Sequence, residues 1–397
     1  MNERSARGGM GDRGGWLFLG AALVFLIALN LRPALTSVGP LLPMIGREFS
    51  LGEGAQGLLG AMPLLAFAAV SPFISRPANR FGLERVLFAG LLLLAAGIAV
   101  RSFTGSVGLW VGTLMLSSAI AIGNVLVPAL VKRDFRNHVS LATGFYTVFI
   151  TLGAASASLS AVPLARSFGW QTTMAFWVIP ALAVALLWAP RTARGPEQAT
   201  VAPEHANLAS VWKQKTAWIV TAFMGLQSTM FYFMNTWLPT IAIWHGHSPE
   251  RAGFLLFLFQ IVGIPASLLI PRLMRREDNQ VAAAVLAGVL IAIAVAGLLF
   301  VPGLIVLWAV IGGLGSGAAL VVSLSIISLR GRTQRETTQL SGMAQSIGYL
   351  FASVTPIVAG RLTEVTGNWS AALAVVLAIA IIMVIVAIPA GRGRPQS

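Results

Sequence analysis

Arg32 has the clearest chemical use of any residue in this sequence. It stands near the middle of an apolar run, 16–45, with no Asp or Glu beside it. A guanidinium presents five N–H donors in a planar fork, which suits nitro, carboxylate or cyanate-like acceptors. Arg32, Thr36, Gly39 and Pro43 recur at i, i+4, i+7 and i+11, so on a helix they form one stripe. Pro33 and Pro40 withdraw N–H donors beside that stripe, and the carbonyls they free must be satisfied inside the protein. Two uses of Arg32 follow: holding an electron-rich ligand, or tying down those carbonyls and neighbouring glutamine side chains.

The 13 acidic residues fall in termini, loops or the ends of apolar runs. None offers a midplane carboxylate of the kind that pumps use for protons. A cavity around Arg32 should therefore draw anions or electron-rich heterocycles and repel organic cations. Uncharged polar groups that could share the cavity are Asn30, Asn124, Tyr146, Gln227, Tyr232, Trp237, Gln260, Gln345 and Tyr349. Each could equally bond a neighbouring helix. Gln227 and Tyr232, five apart, lie on different helix faces. Tyr and Trp rings can also stack on a flat heterocycle.

Other chemistries are poorly served. The chain has no cysteine, so thiol catalysis and disulfides are excluded. His138, His205, His245 and His247 sit in loops or span ends, and the His-x-His at 245–247 lacks the further ligands a metal needs. The glycines of 312–317 lack the lysine and preceding strand of a phosphate cradle, and read as helix packing. No enzyme activity, cofactor or metal is expected.

The elements that must position these residues are membrane helices. The 397 residues are 56% hydrophobic and 10% charged, against roughly 25% charged in soluble domains. Mean hydropathy is +0.81. Apolar stretches of about 20 residues, each enough to cross a bilayer core, recur at 16–45, 54–75, 86–103, 107–131, 140–165, 170–190, 216–244, 252–274, 280–301, 303–329, 338–360 and 370–390. With twelve crossings, 21 of the 27 basic residues fall on one side, five on the other, and Arg32 between. Basic loops stay cytoplasmic, so both termini are expected inside. The net charge of +14 is dispersed over short loops, which argues against a nucleic-acid surface.

Residues 1–15 read as a disordered cytoplasmic N-terminus, and the run that follows as a retained first helix rather than a cleaved signal. A polar linker, 191–214, divides a first six-helix bundle (16–190) from a second (215–390), and 391–397 form a tail. Weak echoes join the halves at nearly one offset. Leu42-Pro43 returns as Leu238-Pro239 after 196 residues, Gly144 as Gly342 after 198, and Trp170 as Trp369 after 199. Six crossings per half make the repeat parallel.

Four stretches carry a family resemblance. They are Leu31-Arg32-Pro33-Ala34-Leu35-Thr36-Ser37-Val38-Gly39-Pro40-Leu41-Leu42, Gly123-Asn124-Val125-Leu126-Val127-Pro128 running into Lys132-Arg133-Asp134-Phe135, Trp237-Leu238-Pro239, and Ser341-Gly342-Met343-Ala344-Gln345-Ser346-Ile347-Gly348-Tyr349. Over essentially its whole length the chain resembles the major facilitator superfamily, in its cyanate/2-nitroimidazole transporter branch. The fourth and eleventh spans resemble the 2-nitroimidazole exporter type more than the cyanate type. The resemblance implies an all-α fold of twelve transmembrane helices in two pseudo-repeats, in a bacterial inner membrane. It also implies a midplane cavity lined by the first, fourth, seventh and tenth helices and flanked by the second, fifth, eighth and eleventh.

The superfamily's gating loop between spans two and three corresponds here to Ser75-Arg76-Pro77-Ala78-Asn79-Arg80-Phe81-Gly82-Leu83-Glu84-Arg85. Gly82 fits its tight turn, and Arg80 and Arg85 its charge. Asn79 replaces its acidic residue, which weakens the usual latch. The Gly-Pro pattern of drug/proton antiporters is absent from span five, which offers Gly153-Ala154-Ala155-Ser156-Ala157-Ser158. The function expected is alternating-access transport of a small planar polar or anionic compound, by a monomer, as 2-nitroimidazole-like export or cyanate-like transport. The alternative is proton-driven multidrug efflux. A channel or a non-transporting receptor stays open at this point.

Overall fold

In the computed structural model, the described residues are 22–135, 139–193, 209–274, 279–331 and 334–392. The expected N-terminal segment, most of the linker and most of the tail lie outside them. Nearly everything described is helix, and eleven stretches are long and apolar enough to span a membrane. They are α1 (Ala22–Glu48), α2 (Glu53–Phe73), α3 (Leu83–Phe103), α4 (Gly105–Asp134), a 53-residue stretch Leu141–Ala193, α7 (Lys215–Trp244), α8 (Pro249–Met274), α9 (Val281–Phe300), α10 (Pro302–Arg330), α11 (Glu336–Thr366) and α12 (Ser370–Gly391). The 53-residue stretch turns back at Gly169, whose φ of 81° and ψ of 157° are non-helical. It supplies two crossings, α5 (139–168) and α6 (170–188). Twelve crossings result, as the hydropathy predicts.

The outer surface is apolar because lipid is its solvent. Leu186, Phe300, Phe168 and Ile385 are exposed, an arrangement a water-soluble monomer avoids. Small residues let the helices approach closely inside, as expected where lipid provides no hydrophobic drive for helix association.

Local sequence breaks α1 where function would need it. Pro33 cannot donate to the carbonyl of Leu29, and it disfavours helical geometry at the residue before it. The helix bends at Leu31 and Arg32, where Arg32 has φ −118° and ψ −29°, and turns again at Ser37. The broken stretch lies on the small-residue run of α5. A Cβ on Gly153 would stand 2.2 Å from the Leu29 carbonyl oxygen. The hydroxyl of Thr36 lies 3.0 Å from the Ala154 carbonyl and 3.2 Å from that of Arg32.

The two halves meet most closely at the end away from the basic loops. A Cβ on Gly57 of α2 would lie 2.2 Å from the Pro356 carbonyl oxygen of α11, and one on Gly39 would lie 2.5 Å from the Asn235 carbonyl oxygen of α7. The backbone N–H of Gly54 donates to Glu364 at 3.2 Å. Arg166 and Glu250 pair at 2.5 Å between α5 and α8. Trp170 donates its indole N–H to Glu48, and Trp369 packs on Trp237 at 4.8 Å. The two tryptophans that echo each other in sequence thus both serve this closed end.

At the basic end, the segment between α2 and α3 is largely helical, Ser75–Phe81. Gly82, at φ 90°, makes the turn that follows; few other residues adopt that angle. Asn79 and Arg80 are exposed, with Arg80 5.1 Å over the Phe81 ring, and Arg85 Nε donates to the Thr192 carbonyl at 3.1 Å. The acid that ties this end together is Glu84, 2.6 Å from Arg133. Arg133 also meets Asp134, and Asp134 meets Arg191, each at 2.7 Å. The charge missing at position 79 is supplied five residues on. Replacing Glu84 with Gln is expected to cost about 1–3 kcal/mol by leaving Arg133 a charged partner short, read as a lower melting temperature of the purified protein.

Candidate functional site

The bend at Arg32 turns its side chain to the seam between the halves. Nη1 donates to the hydroxyl of Tyr232 on α7 at 2.9 Å. Tyr349 of α11 and Tyr146 of α5 lie within electrostatic reach of the same guanidinium. The chain has only three tyrosines, and all three converge on this one charge. Two belong to the half that does not carry Arg32. Tyr232 and Tyr349 meet edge to face, with ring centroids 6.5 Å apart, and Phe67 of α2 meets Tyr349 at 6.0 Å. An aromatic wall therefore stands beside a guanidinium, and the groups acting on it are phenols rather than carboxylates.

Accessibility separates the other sequence-predicted residues. Arg32, Tyr146, Tyr349, Asn124 and Gln345 are half-buried although they sit well inside their spans. Gln345 donates to the Ser341 hydroxyl of its own helix at 2.8 Å. Asn30, Thr36, Gln227, Trp237 and Gln260 are buried and donate to partners within the fold, although the Oε1 of Gln260 has none. Asn30 donates to the Leu26 carbonyl at 2.9 Å, and Gln227 to Ser228 at 2.8 Å. Trp237 donates to the Pro356 carbonyl at 3.0 Å, at the closed end. Gln260 donates to the Ser158 hydroxyl at 2.7 Å and so ties α8 to α5. Of the two residues read as lying on different faces of α7, Tyr232 reaches Arg32 while Gln227 bonds Ser228 on its own helix.

Arg32 is not the only cation enclosed by the helices. Arg101, one of the five basic residues expected on the side opposite the basic loops, is 1% exposed within α3. Its Nη1 donates to the Ala34 carbonyl at 2.6 Å, two residues past Arg32. One cue was visible beforehand, an arginine two residues before the end of an apolar helix, but that position usually reaches water. Arg330 is buried as well and ends α10 by donating to Gln280 and to the Gly391 carbonyl, at 2.7 and 3.0 Å.

The histidine pair lies outside the site. His245 follows α7 and packs its ring against Trp244 at 4.6 Å, and partial burial, with the neighbouring His247, holds its pKa below the usual value. Among the described residues no cluster of three or more metal-ligating side chains occurs.

Comparison with known proteins identifies the family. The model of the Major Facilitator Superfamily matches residues 17–352. The 2-nitroimidazole transporter of Escherichia coli (strain K12) is 39% identical over 94% of this chain and 95% of its own length. The cyanate transport protein CynX of the same organism is 28% identical over 87% of this chain and 90% of its own. Among solved structures, the nucleoside transporter NupG superposes with a TM-score of 0.73 at 14% identity, covering 94% of this chain and 99% of its own. The chain is a multi-pass membrane transporter and belongs to the Major Facilitator Superfamily.

Proposed function

We propose that this protein moves a small, planar, electron-rich solute, carrying a nitro, carboxylate or cyanate-like group, by alternating access around Arg32. The observation that carries the reading is the meeting of one guanidinium with three phenols drawn from both halves. Arg32 would take the ligand's oxygen atoms through charge-assisted bonds, which are stronger than neutral ones. Tyr232 and Tyr349 would pack against its ring or flat face. Since Arg32 and Tyr146 belong to one half and Tyr232 and Tyr349 to the other, a bound solute touches both, and its binding free energy can differ between open and closed arrangements. Such a difference is what any ligand needs to shift a conformational equilibrium.

The named substrates of the relatives, 2-nitroimidazole and cyanate, share the chemistry this site favours. With the basic loops cytoplasmic, the closed end faces outward and the arrangement described is inward-facing. Counterflow in proteoliposomes tests the reading with 2-nitroimidazole, cyanate and benzoate. A carrier gives saturable uptake that rises when unlabelled solute is preloaded. Linear uptake of all three, unaffected by preloading, would contradict it.

A further inference from the structure

We infer that Arg101 forms a second and smaller site, for a compact monovalent inorganic anion such as chloride, bromide or nitrite, enclosed near the closed end. Arg101 uses Nη1 on the Ala34 carbonyl, while Nε and Nη2 are buried without a partner. It lines a cavity of about 20 Å³ together with Tyr232, Asn235, Thr113 and Thr236. No acidic side chain is among the residues lining that cavity. Asn235 is 7% exposed, and its Oδ1 also lacks a partner. Unpaired polar atoms on two helices, one bearing a full charge, thus share one enclosed space.

A cavity needs roughly 10–15 Å³ to hold a water molecule, so this one admits a compact guest and excludes an aromatic ring. Water could satisfy the donors, but it leaves the charge of Arg101 uncompensated in a site that removes it from solvent. An anion answers both needs. Rotating the Asn235 amide about its last side-chain bond would point its N–H donors, in place of the unpartnered Oδ1, at the anion. Tyr232 borders this cavity and also holds Arg32, so the two cationic sites are adjacent along α7. An anion held here would favour the closed arrangement, since the cavity is walled by residues of both halves, including Gly39 and Thr236.

The test is a melting series on the purified full-length protein. Sodium chloride, bromide or nitrite replaces sodium gluconate at constant ionic strength, in the wild type, Arg32→Gln, Arg101→Gln and Asn235→Asp. At least one of the three anions should stabilise the wild type saturably by a few degrees, and Arg32→Gln, which removes the central guanidinium alone, should keep that shift. Arg101→Gln should abolish it. Asn235→Asp supplies the missing carboxylate, so it should abolish the shift and raise the melting temperature in gluconate. This variant decides the matter if Arg101→Gln does not fold. Loss of the shift in Arg32→Gln would assign the anion to the central site and overturn the inference while leaving the transport reading intact. Persistence of the full shift in Asn235→Asp, or no saturable shift with any of the three anions, would overturn it too, the latter leaving water as the guest.

Discussion

Gly57→Leu is expected to abolish transport while leaving a folded protein. The Cβ alone would come within 2.2 Å of the Pro356 carbonyl oxygen, with the Ile357 Cα 3.0 Å away. A backbone wall cannot swing aside as a flexible side chain can, so α2 and α11 must separate and the closed end must open. A carrier confined to one side has no cycle, and turnover should fall to background. The native chain has no cysteine, so a single engineered thiol reports the change cleanly. Thr236 is 3% exposed and packs beside Gly60 in the same seam. In Thr236→Cys alone, a membrane-impermeant maleimide should label slowly. Adding Gly57→Leu should make labelling fast, and equal protection in both proteins would show that the seam tolerates the side chain.

Arg32→Gln is expected to weaken substrate affinity by about 30-fold, from the loss of roughly 2 kcal/mol held in charge-assisted hydrogen bonds. Gln retains a donor but neither the charge nor the fork. Arg32→Lys keeps the charge as a point and loses the paired geometry, so it should fall between wild type and Gln. Transport kinetics check the ordering: KM should rise in the series Arg, Lys, Gln. The tie of Arg32 to Tyr232 is a single neutral acceptor, so the melting temperature should change little. A large loss of stability with unchanged KM would instead mark Arg32 as a fastener of α1.

Much of this was legible in the sequence, for identifiable reasons. Hydropathy places twelve crossings because bilayer thickness sets helix length, and the echoes of Pro43 in Pro239 and of Trp170 in Trp369 fall at matching places in α1, α7, α6 and α12. Arg32 declared itself by lying mid-run, where a charge has no cheap route to water. The convergence of Tyr146, Tyr232 and Tyr349 could not be read, since it joins residues 86 to 203 apart on three helices. Arg101 was hidden for the opposite reason. A charge near the end of a span usually reaches water, and only the tertiary fold encloses it, with Gly112 of α4 against its backbone and the Ala34 carbonyl of α1 on its guanidinium. Trp237 and Gln260 carried cavity-like chemistry, yet α11 and α5 brought carbonyl and hydroxyl partners to them. Asn79 pointed to a weakened latch, while Glu84, Arg133, Asp134 and Arg191 assemble an ionic tie among α3, α4 and the segment after α6 from residues distant in sequence.

The central claim is that the Arg32 guanidinium holds the transported solute, and calorimetric titration of purified wild type and Arg32→Gln tests it most directly. With 2-nitroimidazole, cyanate and benzoate as ligands, at least one should bind the wild type at a single saturable site and bind Arg32→Gln about 30-fold more weakly. Equal affinity of the two proteins for every ligand that binds would contradict the account.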